Sequence, residues 1–298
     1  MFADCCGYLM LKIQLPHRID SDHQGFASLA DIYQKVKPCQ FETIQLDFQN
    51  TTWFDANMLA MLGAIVESAW TNDFEMVNLK PAQEKIFKKT RYSYFGGESL
   101  PDRYQTTVEY RKYKVYDIGS FEKYLEKKLL TRSEIPAMSI LLKKRIKESI
   151  LEIFDNARTH GKCEFIFSCG QYYPRKERLD FTIVDIGRTI RKNVRDYKQE
   201  NISGKEALDW AVKENTTTRK DNIPGGLGFT LIRDFLCQNG GKIQIASADG
   251  YWYEKEDISH SHDLGVFFGG TAVNLEFNVN DQSSYYLASE IKDTEIPF

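Results

Sequence analysis

The chain has 298 residues, and 39 Lys and Arg against 42 Asp and Glu leave a formal charge of −3. At ~150 residues per domain this length implies one large or two ordinary domains. A balanced charge speaks against a dedicated nucleic-acid binder, and 42% hydrophobic with 13% aromatic residues is ample for a packed core rather than disorder.

The apolar runs fall far short of the ~20 residues that span a bilayer, so no membrane association is expected. The opening MFADCC carries Asp4 and lacks the basic lead-in of a secretory signal. Six cysteines without a CxxC pair fit reduced thiols and a cytoplasmic location.

In chain order, Tyr8–Leu15 reads as a strand, Phe26–Val36 as a helix and Glu42–Phe48 as an alternating strand. Asp55–Trp70 is a long amphipathic helix, Phe74–Leu79 a strand, and Ala82–Thr90 a helix behind Pro81. This βαβαβα order predicts a layered α/β domain with crossover helices. The stretch Arg91–Gln105, with Gly96, Gly97 and Pro101, is the best linker. Beyond it come a strand over Thr106–Ile118, a helix over Phe121–Leu130 and a longer helix over Ala137–His160 stopped by Gly161. Strands at Cys163–Gln171 and Arg178–Asp185 precede a helix from Ser203 to Glu214. A polar segment, NTTTRKDNIPGG, leads into a helix over Leu227–Gln238, and strands at Lys242–Ser247 and Thr271–Val279 follow.

At about 100° per residue, the helix ending at Gly161 places Leu142, Ile146, Ile150, Ile153 and Ala157 on one face. Glu148, Glu152, Asn156 and Thr159 fall on another. A polar ridge is commonly a solvated face. Here, however, Glu152 and Asn156 at i and i+4 offer two oxygen donors in one direction, suited to Mg²⁺ or to activating water. Asp185 in IVDIG ends an apolar strand, where a carboxylate can accept from the amino edge of a base. IPGGLGF (Ile223–Phe229) opens a helix on glycines whose N–H groups can face phosphate. FFGGTAVNLEF feeds an alternating strand through Gly270-Thr271. Each signal alone is also ordinary loop or turn geometry.

Taken in order, Glu152-x-x-x-Asn156, Asp185-x-Gly187, Gly226-Leu227-Gly228 and Gly270-Thr271 resemble the ATP-binding domain of the GHKL superfamily, over roughly Thr106 to Asn280. The resemblance implies a Bergerat α/β sandwich, a mixed sheet covered by helices with a mobile lid, binding ATP and Mg²⁺. By it, Asn156 is the magnesium residue and Glu152 the base acting on water or an acceptor hydroxyl. Asp185 is the adenine-binding aspartate, and Gly187 allows close approach to the base. Gly226, Leu227 and Gly228 form the phosphate loop, and Thr271 assists Asp185 through water. Arg219 and Lys220 lie in the lid, as γ-phosphate partners or as a solvated charged loop. One departure is Thr189, standing where the family has a second glycine; it puts lid closure and turnover in question more than binding.

No histidine lies in the helices between Phe121 and Ser149, which speaks against a self-contained histidine kinase, and the sequence ends shortly after the last strand, so a transducer-coupled ATPase is not expected. The remaining types are anti-sigma serine kinases and free-standing regulatory ATPases. Ile44–Phe87 is similar to a STAS domain, with Leu-Asp-Phe ending a strand and Asp55 opening the long helix. The expected division is therefore a STAS-like domain over residues 1–104 and a GHKL domain over residues 105–298. Ala56 and Asn57 stand where phosphorylatable relatives carry a hydroxyl. The fusion implies a docking surface within the chain or a homodimer, and a regulatory protein partner. Two functions remain open: a slow ATPase or serine/threonine kinase, and a nucleotide-gated interaction module without significant catalysis.

Overall fold

The computed structural model describes residues 10–96, 98–213 and 227–290. The first part comprises β1 (Met10–Gln14), β2 (Arg18–Ile19), α1 (His23–Val36), β3 (Thr43–Asp47), β4 (Trp53–Phe54), α2 (Leu59–Ser68), β5 (Asp73–Val77) and α3 (Pro81–Lys89). Strands β1, β3 and β5 pair in parallel in that order, with α1 and α2 as the crossovers that parallel pairing requires. Short β2 and β4 pair separately. The Asp22 side chain caps α1 by accepting from the Gly25 N–H, and Pro81 occupies the first turn of α3.

The stretch expected to be a linker is tied down. Tyr92 is buried, its ring edge-on to Phe87 and Tyr110, and the Tyr110 N–H donates to the Thr90 carbonyl. Asp102 accepts from the Thr107 N–H and from Lys89 Nζ.

The second part comprises β6 (Thr107–Lys114), α4 (Ile118–Tyr124), β7 (Ala137–Met138), α5 (Ile140–Asn156), β8 (Phe165–Tyr173), β9 (Arg178–Ile186), α6 (Ile190–Lys198), α7 (Gly204–Ala211), α8 (Leu227–Gln238), β10 (Lys242–Lys255), β11 (Ile258–Asn278) and β12 (Ser284–Tyr285). The chain is thus mixed α/β, as expected. Its large sheet runs β10-β11-β9-β8-β6, and every neighbouring pair is antiparallel. This differs from the mixed sheet that the resemblance implies. Tight turns link β8 to β9 and β10 to β11, and hairpins can pair only antiparallel. The two closing strands are also far longer than expected, forming one hairpin from Lys242 to Asn278. Its turn places Glu256 and Asp257 at φ of 53° and 60° without the glycine that usually announces such geometry.

Side-chain alternation gives this sheet two buried faces. On one, Ile243, Leu275 and Phe181 lie in register, as do Ile245, Val273 and Ile183, and they pack with Ile146, Ile150 and Phe154 of α5 and Ile232 of α8. On the other, Ala246, Ala272, Val184 and Phe167 join the core of α1 and α2. The first part of the chain is therefore a third layer, sharing a core with the sheet. The two parts thus contact each other within the chain.

A polar rung completes that contact. Gln244, Asn274 and Thr182 are in register and fully buried. Asn57, just before α2, donates to Thr182 Oγ1 at 2.9 Å and to Ser21 Oγ at 2.8 Å, and accepts from the Tyr173 hydroxyl at 2.9 Å. Beside it the Arg178 guanidinium donates to Asp55 Oδ2 at 2.7 Å. Its Nε lies 2.9 Å from Asp180 Oδ2, at an angle that makes an ion pair rather than a hydrogen bond. Burial raises the Asp180 pKa, while Arg178 opposes the rise. Arg178→Met would leave Asp180 buried without its counter-charge, and Asp55 with only the more distant Lys176 Nζ, 3.6 Å from its Oδ1. Urea unfolding should show a loss of about 3–5 kcal/mol, the usual consequence of removing one partner of a buried ion pair; a change near zero would mean that this contact does not hold the layers together.

Candidate active site

The site forms where the sheet meets the end of α5. The register of β10, β11 and β9 aligns Ser247, Thr271 and Asp185 across three strands, on the face that carries Ile245, Val273 and Ile183. Ser247 Oγ lies 3.1 Å from Thr271 Oγ1 and donates to the Gly270 carbonyl at 2.8 Å. The three apolar side chains make a flat floor, and Asp185 stands at its edge.

Above the floor, α5 has the amphipathic face predicted for it: Leu142, Ile146, Ile150, Ile153 and Ala157 are all buried. The Ser139 side chain caps its start by accepting from the Leu142 N–H. At its end the helix widens into a π turn over Ala157–Gly161, and Lys162 turns the chain at a φ of 48°. Such single wide turns often mark functional sites. The turn brings Gly161 against β9, where a Cβ would stand 2.8 Å from Asp185 Oδ1. Gly187 meets the same turn, and a Cβ there would lie 2.2 Å from the Gly161 carbonyl oxygen. The Arg188 N–H donates to that oxygen at 2.5 Å.

A cavity of about 190 Å³ results. Glu152, Asn156, Asp185 and Thr271 all line it, so residues from three separate stretches of sequence meet in one place. Gly187 does not line it; its part is the close passage beside Gly161. Gly226 lies outside the described residues, as do Arg219, Lys220 and the rest of the expected lid. Leu227 and Gly228 begin α8, whose Phe229 and Thr230 reach the cavity. The wall contributions of Arg188, Asn193 and Trp210 were not apparent in the sequence. Asn193 ties α6 to the wide turn by donating to the His160 carbonyl at 3.0 Å.

Asp185 is the electrostatic centre. It is 4% exposed, and its Oδ1 has no hydrogen-bond partner among the described residues. Burial alone pushes its pKa up from 3.8 to about 8. Native proteins rarely leave a buried polar oxygen unmatched, so an external donor is the natural complement. Cys163, nearby, has its thiol pushed up to about 12, first by burial and then by Asp185.

Thr189 has a concrete role. It sits in extended backbone and caps α6, its hydroxyl accepting from the Lys192 N–H at 3.2 Å. A hydroxyl at that position organises the following helix, which a glycine would do less well.

No family model matches the chain, and no curated protein matches it.

Because Asp185 holds a proton in the folded state that the unfolded chain releases near pH 3.8, the contribution of this group favours folding below that value and fades as pH rises to about 8. Asp185→Asn should remove that slope, leaving the variant with a flatter stability–pH profile and greater relative stability at pH 8. Chemical denaturation at pH 5 and pH 8 measures it; parallel profiles for both proteins would rule out the buried, proton-holding carboxylate.

Proposed function

We propose that the cavity binds the adenine of ATP and that the protein is a nucleotide-binding regulator of the GHKL type. The observation that carries this reading is the unpartnered, buried Asp185 oxygen at the edge of a flat apolar floor. An exocyclic amino group stacked over Ile183, Val273 and Ile245 supplies the missing donor. Thr271, in register with Asp185 and lining the cavity beside the buried Ser247 hydroxyl, provides a hydroxyl for a water bridge to the ring nitrogens.

Glu152 and Asn156, one helical turn apart on the cavity wall, fit Mg²⁺ in the chemistry of their oxygen donors. Among the described residues no group of three or more His, Cys, Asp or Glu could hold a metal. Magnesium bound with substrate phosphates needs only one or two protein oxygens, so a small donor set suits it. Asn156 would hold the ion, which neutralises phosphate charge when bound. Glu152 would orient and deprotonate water or an acceptor hydroxyl, while the start of α8 presents backbone N–H groups toward the phosphates.

Between catalysis and nucleotide-gated binding, one observation favours the second. Ala56 and Asn57, where a STAS-like phosphoacceptor would be sought, are fully buried against the sheet. A kinase reaction would therefore require a separate protein as acceptor. No helix among the described residues is long and apolar enough to cross a membrane.

Mg·ATP at ~100 times its Kd should stabilise the protein by about 2.7 kcal/mol, visible as a rise in Tm. Above the Asp185 pKa of about 8, where the group is a carboxylate and only accepts, Mg·GTP should not, because guanine presents a carbonyl to Asp185 where adenine presents an amine. Equal stabilisation by both nucleotides, or by neither, would refute the adenine assignment. If the protein hydrolyses ATP, Glu152→Ala should keep binding and reduce ADP release by ~10²–10⁴-fold, whereas Asn156→Ala should lose both. Wild-type turnover in Glu152→Ala would remove Glu152 as the base.

A further inference from the structure

Behind the Asp185–Gly187 loop lies a second cleft of about 310 Å³, lined by Lys37 at the C-terminal cap of α1 and by Arg188, Arg191, Lys192 and Arg195 on and just before α6. Tyr33 and Phe267 complete its walls, and none of its lining residues is acidic. Five cations gather here in a chain whose net charge is −3, so the concentration is local and not a consequence of composition.

The cations are positioned with few carboxylates. Lys37 Nζ sits 5.7 Å from the Tyr33 ring centre and 5.8 Å from that of Phe267, and the Arg191 guanidinium lies 5.4 Å from the Phe267 ring centre. Arg195 Nε donates to the Ile202 carbonyl at 2.7 Å. Among the described residues, Asp196, shared between Arg188 and Lys192, and Asp249, 2.6 Å from Arg191, bring the negative charge paired with these cations. Five positive charges against two leave the cleft at about three positive charges, at a junction between the N-terminal layer and the large sheet.

We propose that this cleft binds an anionic segment of a partner protein, in which a phosphorylated side chain or paired carboxylates enter between α1 and α6. Guanidinium forks match phosphate and carboxylate oxygens in pairs. A cleft of this size takes one or two such groups, whereas nucleic acid is tracked by a longer basic stripe. Phe267 and Tyr33 supply apolar contact for the aliphatic part of the incoming chain. Arg188 lines this cleft and the cavity beside Asp185 alike, so a bound segment touches a residue of the nucleotide pocket. The inference stands apart from the nucleotide reading, because its test contains no nucleotide.

The test is fluorescence anisotropy with a labelled peptide carrying phosphoserine flanked by aspartates, alongside its unphosphorylated form and a single-stranded oligonucleotide of equal length. The wild-type chain should bind the phosphopeptide most tightly, with affinity falling as salt rises. The double variant Arg191→Glu, Lys192→Glu should bind it about tenfold more weakly or worse. Lys37→Glu, at the exposed C-terminal cap of α1, should weaken binding in the same direction and guards against a folding defect in the double variant. Lys198→Glu, outside the cleft, should bind like wild type. Undiminished binding in both cleft variants, no binding by wild type, or tighter binding of the oligonucleotide would overturn the proposal.

Discussion

The register of β9 against β11 and β10 governs the arrangement of this molecule. One residue of slip would turn Asp185 and Ile183 into the N-terminal layer and send Val184 and Thr182 into the cavity. The register is held from both sides. Large aliphatic residues seat against α5 and α8, while small ones, Ala246 and Ala272, admit α1 and α2 on the opposite face. The polar rung bonds within itself, Thr182 donating to Asn274 and Asn274 to Gln244, and Asn57 adds donors to Thr182 Oγ1 and Asn274 Oδ1. Slippage would strand several buried polar groups at once, a cost well above any single hydrogen bond.

That rigidity is what keeps Asp185 dry. A carboxylate on a mobile edge would recruit water and titrate normally. Here Gly161 presses a helix end against it, and the sheet beneath cannot yield because its other face is occupied. Much of the affinity of such a site comes from the donor that the folded chain lacks, which makes the pocket selective for a group able to supply one. The N-terminal layer thus backs the sheet beneath the site without lining the cavity. Its Asp55 and Asn57 are committed to that mechanical role.

The helices of the second part were legible because their apolar residues recur at helical spacing: Leu142 to Ala157 on α5 are buried as the pattern demands, and α8 spans the expected Leu227–Gln238. Glu152, Asn156, Asp185 and Thr271 could be brought together from order and residue type. Other features leave no local trace. The sequence IRKNVRDYK of α6 does place Ile190, Val194 and Tyr197 at helical spacing, but its five charged residues outnumber them, and its cap, Thr189, stands where the family has a glycine. The hairpin after Ser247 turns on Glu256 and Asp257, which carry no turn signature. The Gly161–Asp185 approach and the Asn57 grip join residues far apart in sequence, so only the assembled sheet displays them. The wholly antiparallel pairing likewise departs from the mixed sheet suggested by the motif resemblance.

The most direct measurement of the central claim is the carboxyl ¹³C resonance of Asp185, assigned by comparison with Asp185→Asn and followed against pH with and without Mg·ADP. The resonance should titrate near pH 8 in the free protein and move sharply when adenine nucleotide saturates the cavity. A resonance that titrates near the ordinary carboxylate value of 3.8 and ignores the nucleotide would contradict both the buried carboxylate and its role as the adenine partner.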